Sequence, residues 1–275
     1  MNILSFPFFQ NALVGVVIIS VASALIGCYI MSRRMVFISG GITHACFGGL
    51  GLGYFLGVSP VAMAAVFAVA GSLGVDWMSR GRARRDSAIA VVWAFGMALG
   101  ILFMFLTPGS VPELNSFLFG SVLTITRADL WIFAGFTAAL MVFYAIFYRV
   151  IVAVSFDEDF ARTIHLPVTF VNVAMTVFVS LAIVLTIKMI GIMLLMSLVS
   201  LPQMTSELYT RRYAPLMLLS LFVSLLGCVG GLFIAYFISV PASAAIVLLL
   251  VMFYAVSSGI LWLRQRRRVA AGWNE

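Results

Sequence analysis

The sequence predicts an all-α fold, a polytopic bundle of about eight or nine membrane-spanning helices in one domain, 1–275. Of its 275 residues, 64% are hydrophobic and only 9% are charged, and the mean hydropathy is +1.18. A water-soluble core cannot enclose that much apolar surface. Apolar runs of about 20 residues, the length that crosses a bilayer, also follow one another along the chain. The lipid bilayer is therefore the expected solvent.

The predicted spans follow from these apolar runs and from the polar breaks between them. The first run is too long for a signal-peptide core and lacks preceding basic residues, so we expect it to be retained. A shorter apolar stretch, 114–124, cannot cross and is expected to form an interfacial or re-entrant helix. The nine candidate spans are 8–31, 35–57, 60–78, 87–107, 128–150, 167–187, 189–206, 214–236 and 240–262.

Basic residues set the predicted orientation. With nine crossings and an external N-terminus, all of the 16 lysines and arginines except Arg127 and Lys188 fall on the cytoplasmic side. The positive-inside rule demands this asymmetry, and it makes the basic tail, 264–275, cytoplasmic. The arginines lie in clusters beside apolar spans without interleaved aromatic residues, so no nucleic-acid partner is expected despite the net charge of +7.

Ionisable residues within a span are costly in a bilayer and often mark a pathway. Only His44 lies clearly near the middle of a predicted span. Two interpretations stay open for it: a pathway ligand for a cation, or a neutral ring that hydrogen-bonds to a neighbouring helix. Glycines near it leave room for the ring and favour close helix packing. The glycines assigned to packing are Gly40, Gly48, Gly49 and Gly53.

Other candidate sites are weaker. The three cysteines lie inside apolar runs without CxxC spacing, so neither disulfides nor a zinc cluster are predicted. Met189, Met193 and Met196 follow helical spacing and are interpreted as packing residues. No GxxxxGK(S/T) loop occurs, so any ATP that drives transport must bind another chain. No nucleophile with a base stands at membrane depth, so we expect no enzymatic activity.

One polar segment, 156–166, interrupts the series of spans. Its acidic start suits the positive end of a helix dipole, and its amphipathic pattern predicts a short surface helix on the cytoplasmic face. Apolar residues on such a helix are suited to insertion into a groove of a partner. A solvated loop is the alternative. The residues assigned to partner docking are Asp157, Glu158, Asp159, Phe160, Ala161, Arg162 and Ile164.

Three segments in order, RRMVFISGGITHACFGGLGLG, FDEDFARTIHLPV and GIMLLMSLVSLPQMT, resemble the zinc/manganese/iron permease family of ATP-binding-cassette importers. The likeness covers almost the whole chain. It implies a homodimer in a bacterial or archaeal plasma membrane that docks two cytosolic ATPase subunits through 157–166. It also implies an extracytoplasmic metal-binding protein as a partner. The permease would hold no tight cofactor, because ATP would bind the partner and the divalent metal would be cargo.

The same resemblance assigns His44 to the family's histidine that contacts the passing ion. In the family this motif reads like RRMALIGDALSHAVLPG, so Gly40 replaces an acidic residue four positions before the histidine. Loss of that carboxylate should weaken the site or shift its selectivity. Weak binding by His44, aided by Thr43, backbone carbonyls and water, still suits a pathway. Two alternatives stay open: a permease for a metal chelate such as haem or a siderophore, and an intramembrane enzyme.

Overall fold

The described residues form ten α-helices and no strand. The computed structural model describes residues 6–79, 84–108 and 125–270, the last range with side chains as far as Arg266. The predicted interfacial segment, 114–124, lies outside them. The helices are α1 (Pro7–Ser32), α2 (Val36–Leu56), α3 (Pro60–Ser79), α4 (Arg85–Leu106), α5 (Arg127–Phe156), α6 (Glu158–Thr163), α7 (Val168–Ile190), α8 (Ile192–Glu207), α9 (Tyr213–Ile238) and α10 (Ala242–Ala270).

Within the described ranges, eight helices are long and apolar enough to cross a membrane, all except α6 and α8. The prediction of a polytopic bundle with eight or nine spans is confirmed. The ninth predicted span, 189–206, corresponds to α8. Its 16 residues give a length of about 24 Å, short of a hydrocarbon core of about 30 Å. α8 packs against α1, α9 and α10, so other helices surround most of it.

A single residue, Gly191, separates α7 from α8. Its backbone has φ 81° and ψ 170°, a combination open essentially only to glycine. The predicted spans 167–187 and 189–206 placed this break about three residues earlier, at Lys188. The backbone freedom of the glycine sets the boundary instead. As a result Met189 ends up on α7, separated from Met193 and Met196 on α8.

Contacts between helix ends define two ends of the bundle. At one end, Arg33 after α1 pairs with Glu158 at the start of α6. Arg85 and Arg211 line a cavity together with Arg33, so we call this the arginine end. At the opposite end, Lys188 near the end of α7 pairs with Asp129 in the first turn of α5. Since Glu207 lines the cavity at the arginine end, α8 runs back from the opposite end.

α2 packs more extensively than any other helix, mainly against α4 and α3. Its mean side-chain volume is small because it is rich in glycine, and small residues let helix backbones approach closely. A Cβ added at Gly51 would lie 2.6 Å from the carbonyl oxygen of Gly100 in α4. The two backbones therefore touch there, and α2 is held as the centre of a three-helix unit.

Candidate functional site

His44 lies in the middle of α2 and stacks on the indole of Trp93 in α4. The ring centroids are 4.4 Å apart and the planes differ by 4°. Phe47 lies beside the same imidazole, with its centroid at 6.0 Å. Trp93 is 43% exposed and His44 is half-buried, so the stack stands at the margin of the core. The parallel stack fixes the plane in which the ring nitrogens can act.

The Nδ1 atom of His44 is buried and makes no hydrogen bond to any described residue. A buried ring nitrogen without a partner costs free energy comparable to a lost hydrogen bond. Natural structures leave few such atoms, and those few often have a functional explanation. This nitrogen is therefore available to a group that the described chain does not supply.

Gly40, one turn before His44, faces α8 across a narrow gap. A Cβ at Gly40 would meet only the Cε atom of Met196, at 3.4 Å. The Oγ atom of Ser39 lies 3.5 Å from Met196 Sδ. Thr43 is fully buried, and its Oγ1 donates to the carbonyl oxygen of Ser39 at 2.6 Å. The neighbourhood before His44 is thus built from hydroxyls and a thioether, with the hydroxyl proton of Thr43 already used.

The other three glycines assigned to packing face backbone. A Cβ at Gly49 would lie 2.4 Å from the carbonyl oxygen of Met63, and one at Gly53 would lie 2.6 Å from Pro60 Cα. A Cβ at Gly48 would lie 2.8 Å from the ring of Phe67 in α3 and 3.1 Å from the carbonyl oxygen of Gly96 in α4. These three positions meet α3 or α4 directly, whereas Gly40 meets only the flexible end of a side chain. Gly40 therefore stands apart from the other three.

The described residues contain no group of three or more His, Cys, Asp or Glu side chains that could hold a metal ion. A tight site for a transition metal needs three or four protein ligands. An ion that reached His44 would therefore keep water or backbone oxygens for most of its coordination. This arrangement suits a brief contact during passage better than storage of the ion.

α6 is a six-residue helix whose start is capped by its own acidic residues. The carboxylate of Asp157 accepts a hydrogen bond from the backbone N–H of Phe160 at 2.9 Å. Glu158 and Asp159 occupy the first turn and Arg162 the last, which matches each charge to the helix dipole. The short surface helix expected within 156–166 is present, and local sequence accounts for both of its ends.

The two faces of α6 differ sharply in exposure. Ala161 is fully buried and packs with Val154 of α5 and Val168 of α7 in a small cluster separate from the main core. Phe160 and Ile164 are 57% and 49% exposed. Large apolar side chains presented together on a short helix are typical of a contact surface for another molecule.

Glu158 joins two guanidinium groups. Its Oε1 lies 2.6 Å from Arg162 Nη2, and its Oε2 lies 2.7 Å from Arg33 Nη2. Partial burial tends to raise the pKa of Glu158, but hydrogen bonds from Arg162 and Arg33 outweigh burial and lower it. A lowered carboxylate pKa means that the pairs contribute fully at neutral pH and are lost only as pH falls through that lowered value.

A cavity of 1070 Å³ opens at the arginine end. Its lining includes four arginines and two glutamates: Arg33, Arg34, Arg85, Arg211, Glu158 and Glu207. The excess of positive charge disfavours a resting divalent cation there.

Sequence reasoning missed three participants in these arrangements. Trp93 is one of several aromatic residues on α4, and no local pattern marks it as the partner of His44. Met196 was interpreted as general packing, although it fills the gap beside Gly40. The pairing of Arg33 with Glu158 joins segments far apart in the chain. Only covariation between related sequences would have signalled these contacts.

A known protein family matches nearly the whole chain. The ABC 3 transport family matches residues 5–260. This chain belongs to the ABC 3 transport family. The predicted resemblance to a permease family of ATP-binding-cassette transporters is thereby confirmed, and all the helices that surround His44 lie within the matched range.

Individual relatives of this family member align with nearly the whole chain. An uncharacterised membrane protein of Synechocystis is 35% identical over 92% of this chain and 91% of its own length. The manganese transport system membrane protein MntC of Halalkalibacterium halodurans is 27% identical over 94% of this chain and 91% of its own length. The manganese import system permease protein ScaB of Streptococcus gordonii is 28% identical over 92% of this chain and 91% of its own length.

Solved structures also match this ABC 3 chain. PsaBC from Streptococcus pneumoniae, in complex with Fab, superposes with a TM-score of 0.81 at 29% identity, covering 92% of this chain and 91% of that one. An ABC transporter in an inward-facing conformation gives a TM-score of 0.69 at 16% identity, covering 90% of this chain and 85% of that one. The second likeness shows the shared fold alone.

Proposed function

We propose that this chain is the membrane-spanning permease subunit of an importer for divalent transition metals, with manganese as the first ion to test and zinc and ferrous iron as the others. The observation that carries the proposal is the similarity to manganese transport permeases across 94% and 92% of this chain. The free Nδ1 of His44 supplies a contact point for such an ion. The permease itself catalyses no covalent reaction.

The energy for transport comes from ATP bound to a separate cytosolic ATPase subunit. Membership in an ABC transport family and the lack of a GxxxxGK(S/T) loop support this division of labour. Phe160 on α6 and Ile164 directly after it dock the ATPase. Asp157, Glu158 and Asp159 form the helix start, Ala161 its buried side and Arg162 its last turn. A homodimer of the permease binds two ATPases and takes metal from an extracytoplasmic binding protein.

The arginine end of the bundle faces the cytoplasm of a bacterial or archaeal cell, and the C-terminus lies there too. The positive-inside rule supports this orientation, because Arg33, Arg85 and Arg211 line one cavity at that end. α6 lies at the same end, so the ATPase docks where ATP is available. Lys188 and Asp129 then face outward, on the side from which the metal arrives.

His44 contacts the ion during passage, and the lone pairs of Thr43 and nearby backbone carbonyls assist. A single imidazole binds weakly, which lets the ion leave again. Because residue 40 is glycine, the site lacks a carboxylate that would bind a hard cation such as Mn²⁺ more tightly. This permease therefore relies on its binding protein for capture, and its own site acts as a relay between the open states of alternating access.

The two alternative functions have less support. A permease for a metal chelate would fit the missing carboxylate at Gly40, but two of the three relatives named above are described as manganese transporters. An intramembrane enzyme would need a nucleophile paired with a base, and the described spans place no such pair around His44. The metal importer therefore accounts for more of the observations.

Reconstitution in lipid vesicles with the ATPase subunit and the binding protein tests the proposal. We expect ATP-dependent uptake of radiolabelled Mn²⁺, measured against Zn²⁺, Fe²⁺ and haem in parallel vesicles. Uptake of haem without uptake of any free ion would favour the chelate permease. No ATP-dependent uptake of any of the four would reject transport of these substrates.

Docking through α6 has its own test. Phe160→Ala removes the most exposed apolar side chain of α6, so it should uncouple ATP hydrolysis from uptake while the permease stays folded. Phe237→Ala at the opposite end removes a comparably exposed ring, 76% against 57%, and serves as the control. Equal uptake per ATP hydrolysed in both variants would contradict the docking role.

A further inference from the structure

Arg33 ties the end of α1 to two other parts of the arginine end. Its Nη2 lies 2.7 Å from Glu158 Oε2 in α6, and its side chain is only 15% exposed. Its Nη1 donates to the carbonyl oxygen of Val154 in α5 at 2.9 Å. Hydrogen bonds between charged groups are stronger than neutral ones, so this guanidinium is a firm connection.

The turn that carries Arg33 is short and internally bonded. Residues 33–35 alone connect α1 to α2. The N–H of Met35 donates to the carbonyl oxygen of Ile30 at 2.8 Å, and that of Arg34 donates to Met31 at 2.9 Å. Arg34 has φ 54°, a conformation that a long side chain adopts at a cost. A turn this constrained passes a displacement of Arg33 on to α2, where a longer loop would absorb it.

The other contacts of α6 lead elsewhere. The buried cluster around Ala161 reaches Val154 and Val168, on α5 and α7. The pair with Arg162 stays within α6, because the two residues are four apart. Among the polar contacts of α6 within the described residues, the one to Arg33 reaches α1 and the start of α2.

We infer that the Arg33–Glu158 ion pair transmits movement of α6 to α2 and so to His44, with Arg33 and Glu158 acting as positioning residues for transport. His44 lies about two helical turns from the start of α2, and that helix is held rigidly against α3 and α4. A shift at Arg33 therefore moves the imidazole together with its helix. This inference rests on the proposed function, because it takes α6 as the ATPase contact.

The chain supplies a control for this link at the same end of the bundle. Arg85 at the start of α4 pairs with Asp76 of α3 at 2.9 Å, and neither residue belongs to the docking segment. Arg33→Gln removes the ion pair that joins α6 to α1, and Arg85→Gln removes an ion pair that does not involve α6. Both variants lose one positive charge and one ion pair at the arginine end, so a difference between them reports the role of the link to α6.

The experiment compares both variants in vesicles with the ATPase and the binding protein. Mn²⁺ uptake and ATP hydrolysis are measured in the same sample, and the readout is ions transported per ATP. We expect Arg33→Gln to lower this ratio at least about fivefold, the lower range of ordinary coupling between sites, and Arg85→Gln to leave it unchanged. A merely structural role for Arg33 would reduce both activities together and keep the ratio.

Further variants keep the test decisive. Arg33→Lys retains the charge and a donor, so it should recover part of the ratio. If Arg33→Gln does not fold, Glu158→Gln tests the link from its other end. Fewer ions transported per ATP would support the inference, and an unchanged number of ions per ATP would overturn it. A wild-type permease without ATP-dependent Mn²⁺ uptake would count against the proposed function. Wild-type uptake with equal ratios for the two arginine variants would count against the link alone.

Discussion

The glycines in the two halves of α2 meet different kinds of neighbour. In the second half, 45–56, glycines bring the helix into backbone contact with its neighbours, so a Cβ at Gly49 would lie 2.4 Å from a carbonyl oxygen of α3. In the first half, 36–44, the nearest neighbours are side chains: a Cβ at Gly41 would lie 2.5 Å from the Ile89 side chain of α4, and one at Gly40 would meet only a methionine methyl at 3.4 Å. The second half therefore anchors the helix, and Gly40 in the first half tolerates added volume.

This difference explains how an unpaired imidazole can persist inside a helical bundle. His44 ends the first half, directly before the tightly packed segment, and Trp93 holds its ring plane. A functional side chain is most effective when rigid neighbours fix its position. The packed half therefore fixes the position of the His44 ring.

The largest expected effect comes from filling the packed half. Gly49→Ala would force the new methyl group into the backbone of α3, and overpacking of this kind costs about 1–3 kcal/mol or more. We expect a strongly lowered yield and melting temperature of the purified permease. Gly40→Ala adds the same methyl group against a movable side chain and should stay near wild type. Equal melting temperatures for the two variants would break the comparison between the halves.

The next largest effect separates function from packing. His44→Ala should lower Mn²⁺ uptake in the reconstituted transporter about 10–100-fold, the range seen when groups that support a metal site are removed, while the melting temperature changes little. His165→Asn is the control, because His165 has φ 56° and asparagine tolerates that conformation. Unchanged uptake by His44→Ala would remove the reason to place the ion route at this residue.

Much of this comparison could be predicted from the sequence, but its decisive contacts could not. The apolar runs predicted the spans, and the position of His44 in mid-span predicted a functional group, because both depend on local composition. Hydropathy could not show that Gly49 meets backbone and Gly40 meets Met196, since that depends on which helix lies opposite. The break at Gly191 was placed three residues too early, because an apolar run continues through it and only the φ and ψ of the glycine decide where α7 ends.

A smaller effect is expected from restoring a carboxylate beside His44. Gly40→Asp adds an oxygen ligand that Mn²⁺ prefers, so we expect a lower KM for Mn²⁺. An unpaired carboxylate at membrane depth costs about 2.5–3.5 kcal/mol, so the metal-free variant should melt earlier and gain more from added Mn²⁺ than wild type. Gly40→Asn, with the same size and no charge, separates charge from bulk. A similar gain for both variants would show that the ion does not reach residue 40.

The smallest expected effect tests whether Trp93 orients the His44 ring. Trp93→Leu removes the parallel stack on His44 but keeps an apolar residue facing outward, and aromatic pairs contribute about 0.5–1.5 kcal/mol. We expect a few-fold rise in KM for Mn²⁺ with little change in stability, because the imidazole loses its fixed plane but stays on a rigid helix. Trp93→Phe keeps an aromatic face and should lie close to wild type. If the two substitutions reduce uptake equally, the packed half of α2 orients His44 without help from α4.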